Sequence, residues 1–293
     1  MIPIVILCLG LGLVIIGSVA DLRWREVPDW SNYAGIAAAL MIRAAYSIGV
    51  KEWSFILQGI LGLFAMYVLA SALFYLGQWG GGDSKLLMAM GAIFGLGFGG
   101  EGFFGLFGGD RLLGAFLMNL LLFGGVWGAL WSMKLAVVKR SSVRDSYRML
   151  IRRPQVIHAR RLVFIAALCL LAAAFIFEHY AIRFPFIVLA ITSVVTFYTY
   201  IFAKSVEKVC FVKDIGVGKL EEGDWIQRDI FIRGRRVCGP ADLGVSHAQI
   251  AALKKADFST VTIKEGVPFV PSFFLAYVAT VLIGNVFYAF AAL

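Results

Sequence analysis

The chain consists of long apolar runs separated by shorter polar segments. Runs of about 20 apolar residues are long enough to cross a hydrocarbon core of about 30 Å as α-helices. Eight runs predict membrane spans: residues 2–20, 31–49, 54–77, 85–103, 112–138, 162–178, 184–203 and 268–292. The pattern predicts a polytopic α-helical membrane protein with about six to eight transmembrane helices.

Two polar stretches interrupt this pattern after the fifth run. Residues 139–161 carry eight basic residues and one acid, with apolar residues at roughly helical spacing. They predict a basic cytoplasmic loop or an interfacial helix on an anionic leaflet. Residues 204–265 carry eleven basic and nine acidic residues and predict a small cytoplasmic α+β insert before the last helix. The predicted organisation is a membrane catalytic core (1–138), the basic segment (139–161), two further membrane helices (162–203), the insert (204–265) and the last helix (266–293).

The insert contains recognisable local signals. WIQRDIFI followed by Arg233-Gly234 predicts a strand that runs into a turn, and VTIKEG predicts another strand. Ser246 and Gln249 have the spacing of a capping box and predict the start of a helix between these strands.

Composition and charge support a membrane protein and give it an orientation. The chain is 60% hydrophobic and 15% charged, which is far from the balance of a soluble domain. If the N-terminus lies outside, the segments facing the cytoplasm hold 22 of the 27 Lys and Arg residues, as the positive-inside rule requires. Anionic lipids also account for the net charge of +9. No aromatic-basic platform accompanies the charge, so we predict contact with membrane lipids and no nucleic-acid binding.

Two acidic residues at the ends of predicted spans are the candidates for chemistry. Asp21 is the first charge after twenty residues, and Asp83 is the first after thirty. An ionisable group beside a membrane span is costly and indicates function. Two adjacent carboxylates share a proton, so one can activate water while the other protonates a leaving group. Ion or proton coupling in a transporter, and simple capping of helix ends, remain open as alternatives.

The sequence around both aspartates resembles a known family. Gly80-Gly81-Gly82-Asp83 matches the G-x-G-D motif of membrane aspartic proteases, and Asp21-Leu22-Arg23-Trp24-Arg25-Glu26-Val27-Pro28-Asp29 resembles the first-aspartate segment of type IV prepilin peptidases. The archaeal preflagellin (archaellin) peptidase branch is the most similar. This resemblance implies that Asp21 and Asp83 form the catalytic dyad. It also implies an aspartic endopeptidase in the cell membrane that removes short basic leader peptides from prepilin or archaellin precursors at the cytoplasmic face.

The same resemblance limits the expected chemistry. Bacterial relatives often add an N-methyltransferase activity and a cysteine-rich zinc-binding loop, and neither is visible in this sequence, so we predict a peptidase with no cofactor and no metal. Presenilin and signal-peptide-peptidase proteins also carry G-x-G-D and remain an alternative. Those proteins usually have a Tyr before the first Asp, where this chain has Ala20.

Several other residues are predicted to bind substrate or to support the dyad: Gly80, Gly82, Glu26, Asp29 and Lys85. The glycines are expected to adopt unusual dihedrals and to let substrate approach closely. Asp29 is predicted to cap the second span, and Glu26 to pair with Arg23 or Arg25 or to contact a basic leader. Lys85 is expected to meet lipid phosphates, and Arg43 to extend outward along its span.

Overall fold

The computed structural model describes residues 2–97, 112–177, 179–242 and 244–291. Its longer elements are helices, which in chain order are α1 (Ile2–Trp24), α2 (Asp29–Val50), α3 (Ser54–Tyr75), α4 (Gly81–Phe94), α5 (Leu112–Val138), α6 (Arg140–Ile151), α7 (Pro154–Ile176), α8 (Tyr180–Val206), α9 (His247–Lys255), α10 (Val270–Leu282) and α11 (Val286–Ala291). Five short strands lie between α8 and α10: β1 (Val212–Gly216), β2 (Trp225–Ile226), β3 (Ile230–Ile232), β4 (Arg235–Cys238) and β5 (Thr260–Lys264).

Within the described residues, six helices are long and apolar enough to cross a membrane. They are α1, α2, α3, α5, α7 and the segment Ile182–Phe211, which contains most of α8. This confirms a polytopic helical membrane protein with a small strand-containing insert.

The fourth and eighth predicted spans are wrong as continuous helices. α4 has 14 residues and ends where Gly95 takes a φ of +73°, and residues 98–103 of the predicted span lie outside the described part. α10 has 13 residues, and Gly284 with a φ of +83° separates it from α11. Hydropathy predicts an apolar run, but a glycine with positive φ ends the helix inside it.

The chain forms two compact units, which we describe separately: residues 1–130 with 266–293, and residues 131–265. The first unit contains α1 to α4, α5 as far as Leu130, and α10 and α11. Its buried core is apolar and draws on all the long helices of the unit, including Val14, Leu86, Met90, Phe116 and Phe273.

α4 lies centrally in this first unit and packs against α1, α2 and α3. Gly62 of α3 and Gly91 of α4 bring the two backbones into direct contact, because a Cβ on either glycine would overlap the other helix. The backbone N–H of Leu96 also donates to the carbonyl of Gln58 at 2.8 Å. Gly91, Gly95 and Gly99 follow one another at four-residue spacing, which predicts a packing face for a neighbouring helix. That face is present at Gly91 and Gly95, and Gly99 lies outside the described residues.

The prediction that Arg43 extends outward is wrong. Arg43 is 3% exposed, and its guanidinium donates to the carbonyls of Ala92, Ile93 and Phe55 at 2.8–2.9 Å. Two of these carbonyls belong to the last turn of α4, where backbone oxygens have no partner within the helix. The five donors of a guanidinium can satisfy several such oxygens at once, so Arg43 faces inward.

The second unit contains α6, α7, α8 and the strand-containing insert. On α6, Val143 is buried in a cluster with Val206 and Cys210. Arg140, Arg144 and Arg148 remain exposed. The apolar side of α6 is therefore covered within its own unit rather than left free.

The insert is a small α+β structure with its own core. β1, β5 and β2 form an antiparallel sheet in the order β1-β5-β2, with Asp214 opposite Thr262, and β3 pairs with β4 as a hairpin. The predicted strand WIQRDIFI is divided between β2 and β3, because each half pairs with a different strand. The turn at Arg233-Gly234 and the capping box of Ser246 and Gln249 are confirmed.

Candidate active site

Asp21 lies in the last turns of α1 and is held by the start of α10. Its side chain is almost entirely buried, with 7% exposed. Its Oδ2 accepts a hydrogen bond from the backbone N–H of Val270 at 2.9 Å. The carboxylate also accepts a hydrogen bond from the backbone of Phe269. The first N–H groups of a helix lack partners and favour a negative charge. Asp21 therefore has a fixed orientation that comes from a segment 249 residues away in sequence.

Asp83 is the third residue of α4 and is partly buried. Its carboxylate accepts a hydrogen bond from the backbone of Gly80, the residue that precedes the helix. This is one half of a capping box, in which the third helical residue reaches back to the N-cap. The first turn of α4 thus fixes the carboxylate close to the helix N-terminus.

The glycines before Asp83 act differently from the prediction. Gly80 has an ordinary extended conformation with φ −73° and ψ 165°, and Gly81 and Gly82 are helical. Gly82 packs closely against the segment after α1, since a Cβ there would lie 3.1 Å from the Cβ of Val27 and would require a small shift. The expected unusual dihedrals are absent at these three glycines, and the missing side chain at Gly82 lets α4 approach the segment that follows Asp21.

The packing of α1 against α4 brings the two aspartates together. They are 62 residues apart in sequence, yet they lie close enough for the two carboxyl groups to interact electrostatically. Arg25, one turn after Asp21, also interacts electrostatically with the Asp21 carboxylate. The structure therefore juxtaposes the two candidates for chemistry that the sequence indicates.

Two of the residues predicted to support the dyad, Asp29 and Lys85, form a separate polar contact. Lys85 makes an ion pair with Asp29, with Nζ to Oδ1 at 2.5 Å, and lies 5.7 Å from the ring centre of Tyr33. Asp29 is the first residue of α2, and Pro28 occupies the N-cap without a side-chain cap, so the predicted capping role is wrong. Its charge still lies in the first turn, where it stabilises the helix. Glu26 is exposed in the turn between α1 and α2.

A segment with no site role predicted from the sequence closes this end of the first unit. Residues 266–270 precede α10, and their carbonyls accept hydrogen bonds from Arg25 to Gly266 at 3.3 Å and from Trp127 to Pro268 at 2.7 Å. These contacts hold the backbone that orients Asp21. The two prolines and the glycine in GVPFVP indicate a non-helical segment before α10. The residues that hydrogen-bond to this segment could not be inferred from the sequence.

Within the described residues, no group of three His, Cys, Asp or Glu side chains could hold a metal ion. The site is a buried carboxylate pair in the helical core of a membrane protein. That combination defines a class of membrane proteins that includes aspartic proteases and proton- or ion-coupled carriers.

Comparison with known proteins shows which family this part of the chain is similar to. Residues 8–133, which contain Asp21 and Asp83, match the model of the type IV leader peptidase family. The chain is also 31% identical over 80 residues to a preflagellin peptidase of Methanocaldococcus jannaschii. That alignment covers 27% of this chain and 34% of the relative, so the chain spans about a third of the length of the curated relative it matches. No solved structure matches the chain.

The resemblance predicted from the sequence is thereby confirmed over residues 8–133, which match the type IV leader peptidase family.

Proposed function

We propose that this protein is a membrane aspartic endopeptidase that removes short basic leader peptides from prepilin-like or archaellin-like precursors. The observation that carries the proposal is the juxtaposition of Asp21 and Asp83 by α1 and α4 inside the family-matching segment. The relative from Methanocaldococcus jannaschii is called a preflagellin peptidase, which supports the same substrate class for this chain.

The chemistry follows from the proximity of the two carboxylates. Two adjacent carboxyl groups in a poorly solvated site do not both ionise, so the pair holds one proton between them. The ionised carboxylate takes a proton from a water molecule as that water attacks the scissile carbonyl. The protonated carboxyl group then gives its proton to the leaving amine. This reaction needs no covalent intermediate.

The surrounding backbone prepares each carboxyl group for this task. The N–H of Val270 fixes one oxygen of Asp21, and the backbone of Gly80 contacts Asp83. Groups held in place before the reaction need little reorganisation during it. We propose that residues 266–270 are part of the active-site frame for this reason.

The position of the dyad at helix ends fits a cut just before an apolar helix. Such a precursor helix would lie in lipid, and its basic leader would remain in the cytoplasmic interface. Glu26 is exposed near this end and is the acid we propose to contact the leader. Asp29 already pairs with Lys85, so its attraction for a second cation is reduced.

The dyad is tested by single substitutions in the full-length protein with an archaellin precursor and a prepilin as substrates. Asp21→Asn and Asp83→Asn should each lower the cleavage rate by at least about 100-fold, because each removes one member of the acid–base pair. Both variants should be present in the membrane at normal levels. Leader loss is followed on a gel.

Asp29→Asn is the matched control, since it removes a nearby carboxylate that lies outside the dyad. It should retain most of the activity. An inactive Asp29→Asn with an active Asp21→Asn would reassign the first aspartate. Well-folded wild-type protein that cuts neither precursor would contradict the peptidase proposal and favour ion or proton coupling by the same pair.

A further inference from the structure

Asn32 in the second turn of α2 is a fully buried amide that lacks hydrogen-bond partners. Its exposed fraction is 0%, and neither Nδ2 nor Oδ1 bonds to any described residue. Buried side-chain amides in native proteins are nearly always paired, because an unpaired donor or acceptor loses its interaction with water without replacement. An exception of this kind calls for a reason other than folding.

The first unit contains another buried amide, and it is fully used. Asn119 of α5 donates from Nδ2 to Thr280 Oγ1 at 2.9 Å and to the carbonyl of Gly284 at 2.7 Å. Its Oδ1 accepts from the N–H of Val286 at 3.1 Å. The core of this unit can therefore provide hydrogen-bond partners for a buried amide. Asn119 has such partners, and Asn32 has none among the described residues.

The helical face that carries Asn32 is turned toward α1 and α4. Asn32, Gly35, Ala39 and Arg43 follow one another at spacings of three or four residues and are all buried. A Cβ on Gly35 would overlap Leu13 of α1, and Arg43 donates to the last turn of α4. The side of α2 that holds Asn32 thus faces the two helices that carry Asp21 and Asp83.

Asn32 also lies close to the dyad along the helix axes. Asp29, one turn before it, pairs with Lys85, which is two residues from Asp83. Val27 contacts the position of Gly82, the residue next to Asp83. Three residues of an α-helix rise about 4.5 Å. The amide therefore lies about 4.5 Å further along α2 than Asp29, whose partner Lys85 is two residues from Asp83.

We propose that the Asn32 carboxamide binds a backbone peptide group of the precursor just downstream of the scissile bond. A carboxamide has both a donor and an acceptor, so it is complementary to a peptide group. Cleavage requires the precursor backbone to be opened, and the freed N–H and C=O groups have no water partner in an apolar environment. Asn32 replaces those lost bonds, and the bound segment in turn satisfies the amide. The inference rests on the proposed peptidase function and extends it to recognition of the substrate backbone.

Asn32→Leu in the full-length protein provides the test, since leucine has nearly the same shape and no polar atoms. Replacing an unpaired amide with an apolar group of similar shape should raise the midpoint of thermal unfolding by about 2 °C or more. The same variant should cut an archaellin precursor about tenfold more slowly, the effect of one lost hydrogen bond. Asn119→Leu is the matched control and should lower the unfolding midpoint, because it removes the partner of the Gly284 carbonyl and of the Val286 N–H and one of the two bonds of the Thr280 hydroxyl.

A synthetic precursor with a single peptide N–H replaced by an ester oxygen identifies the partner. At one position within the four residues after the cut, the ester should slow the wild-type enzyme about tenfold and leave Asn32→Leu unaffected. An Asn32→Leu variant that is less stable, or as active as wild type, overturns the proposal. An ester series that slows both enzymes equally at every position does the same. Failure of the wild type itself to cut the precursor, in contrast, contradicts the peptidase function.

Discussion

Arg43 is the clearest case of a residue whose role depends on partners that are distant in sequence. It satisfies carbonyls at positions 92, 93 and 55, and Gly59 and Gly95 leave room for its side chain. A charged group without water is stabilised only by such a complete set of acceptors. Arg43 therefore stabilises the C-terminal end of α4, whereas Asp83 lies at its N-terminal end.

This geometry predicts that Arg43→Lys destabilises the protein although the charge is kept. A lysine ammonium has no planar fork and cannot reproduce all three bonds, so the loss should be about 2 kcal/mol or more. Thermal unfolding in detergent measures it, and Arg148→Lys at an exposed position of α6 should have little effect. Equal stability of wild type and Arg43→Lys would mean that these bonds do not fasten α4.

Residues differ in how far the sequence alone predicts their roles. Asp21 and Asp83 were predictable because a charge interrupting a long apolar run is conspicuous and the two runs end on the same side. The inward direction of Arg43 was not predictable, because a long side chain in a span can also reach the interface. The unpaired state of Asn32 was hidden for a related reason: the sequence contains no information on which amides find partners.

The contact between α1 and α10 has two roles, which substitutions at Asp21 separate. The Asp21 carboxylate binds the N–H of Val270 at the start of α10 and is also the proposed acid or base. Asparagine still offers an oxygen to that N–H, whereas alanine does not. Asp21→Ala should therefore lower the free energy of unfolding by about 1 kcal/mol relative to Asp21→Asn.

Both variants should be inactive, but only Asp21→Ala should also be less stable. Asp21→Asn therefore separates loss of cleavage from loss of stability. Thermal unfolding of the two variants side by side gives the measurement, with Asp29→Asn as the control for removing a surface charge. If Asp21→Ala and Asp21→Asn unfold at the same temperature, the hydrogen bond to α10 contributes nothing, and the carboxylate serves chemistry alone.

The sequence pattern predicted helix lengths and strand pairing less well than the existence of the elements. Apolar runs gave the existence of α4 and α10 but overestimated their lengths, because Gly95 and Gly284 end or interrupt them with positive φ. In the insert, the capping box of α9 was predictable from four consecutive residues. The order β1-β5-β2 was not, since it depends on contacts between strands far apart in the chain.

At the level of the complete chain, charge placement predicts orientation in the membrane. The segments assigned to the cytoplasm hold 22 of the 27 Lys and Arg residues, and this bias sets topology. A reporter fused after residue 150 or after residue 220 should therefore give a cytoplasmic signal, and one fused after Leu293 an external signal. A reporter at 220 that signals from outside would contradict this orientation.

The contact between Gly62 and Gly91 has a consequence for how the proposed precursor substrate would reach Asp21 and Asp83. In lipid, two helices whose backbones touch are held together by close van der Waals packing. An apolar group from the bilayer cannot replace that contact without a loss of packing energy. A gate between α3 and α4 would have to separate the two backbones each time a substrate entered or left. The seam between these helices is thus closed, and under the proposed function the lateral route for a precursor helix would pass along another side of α4.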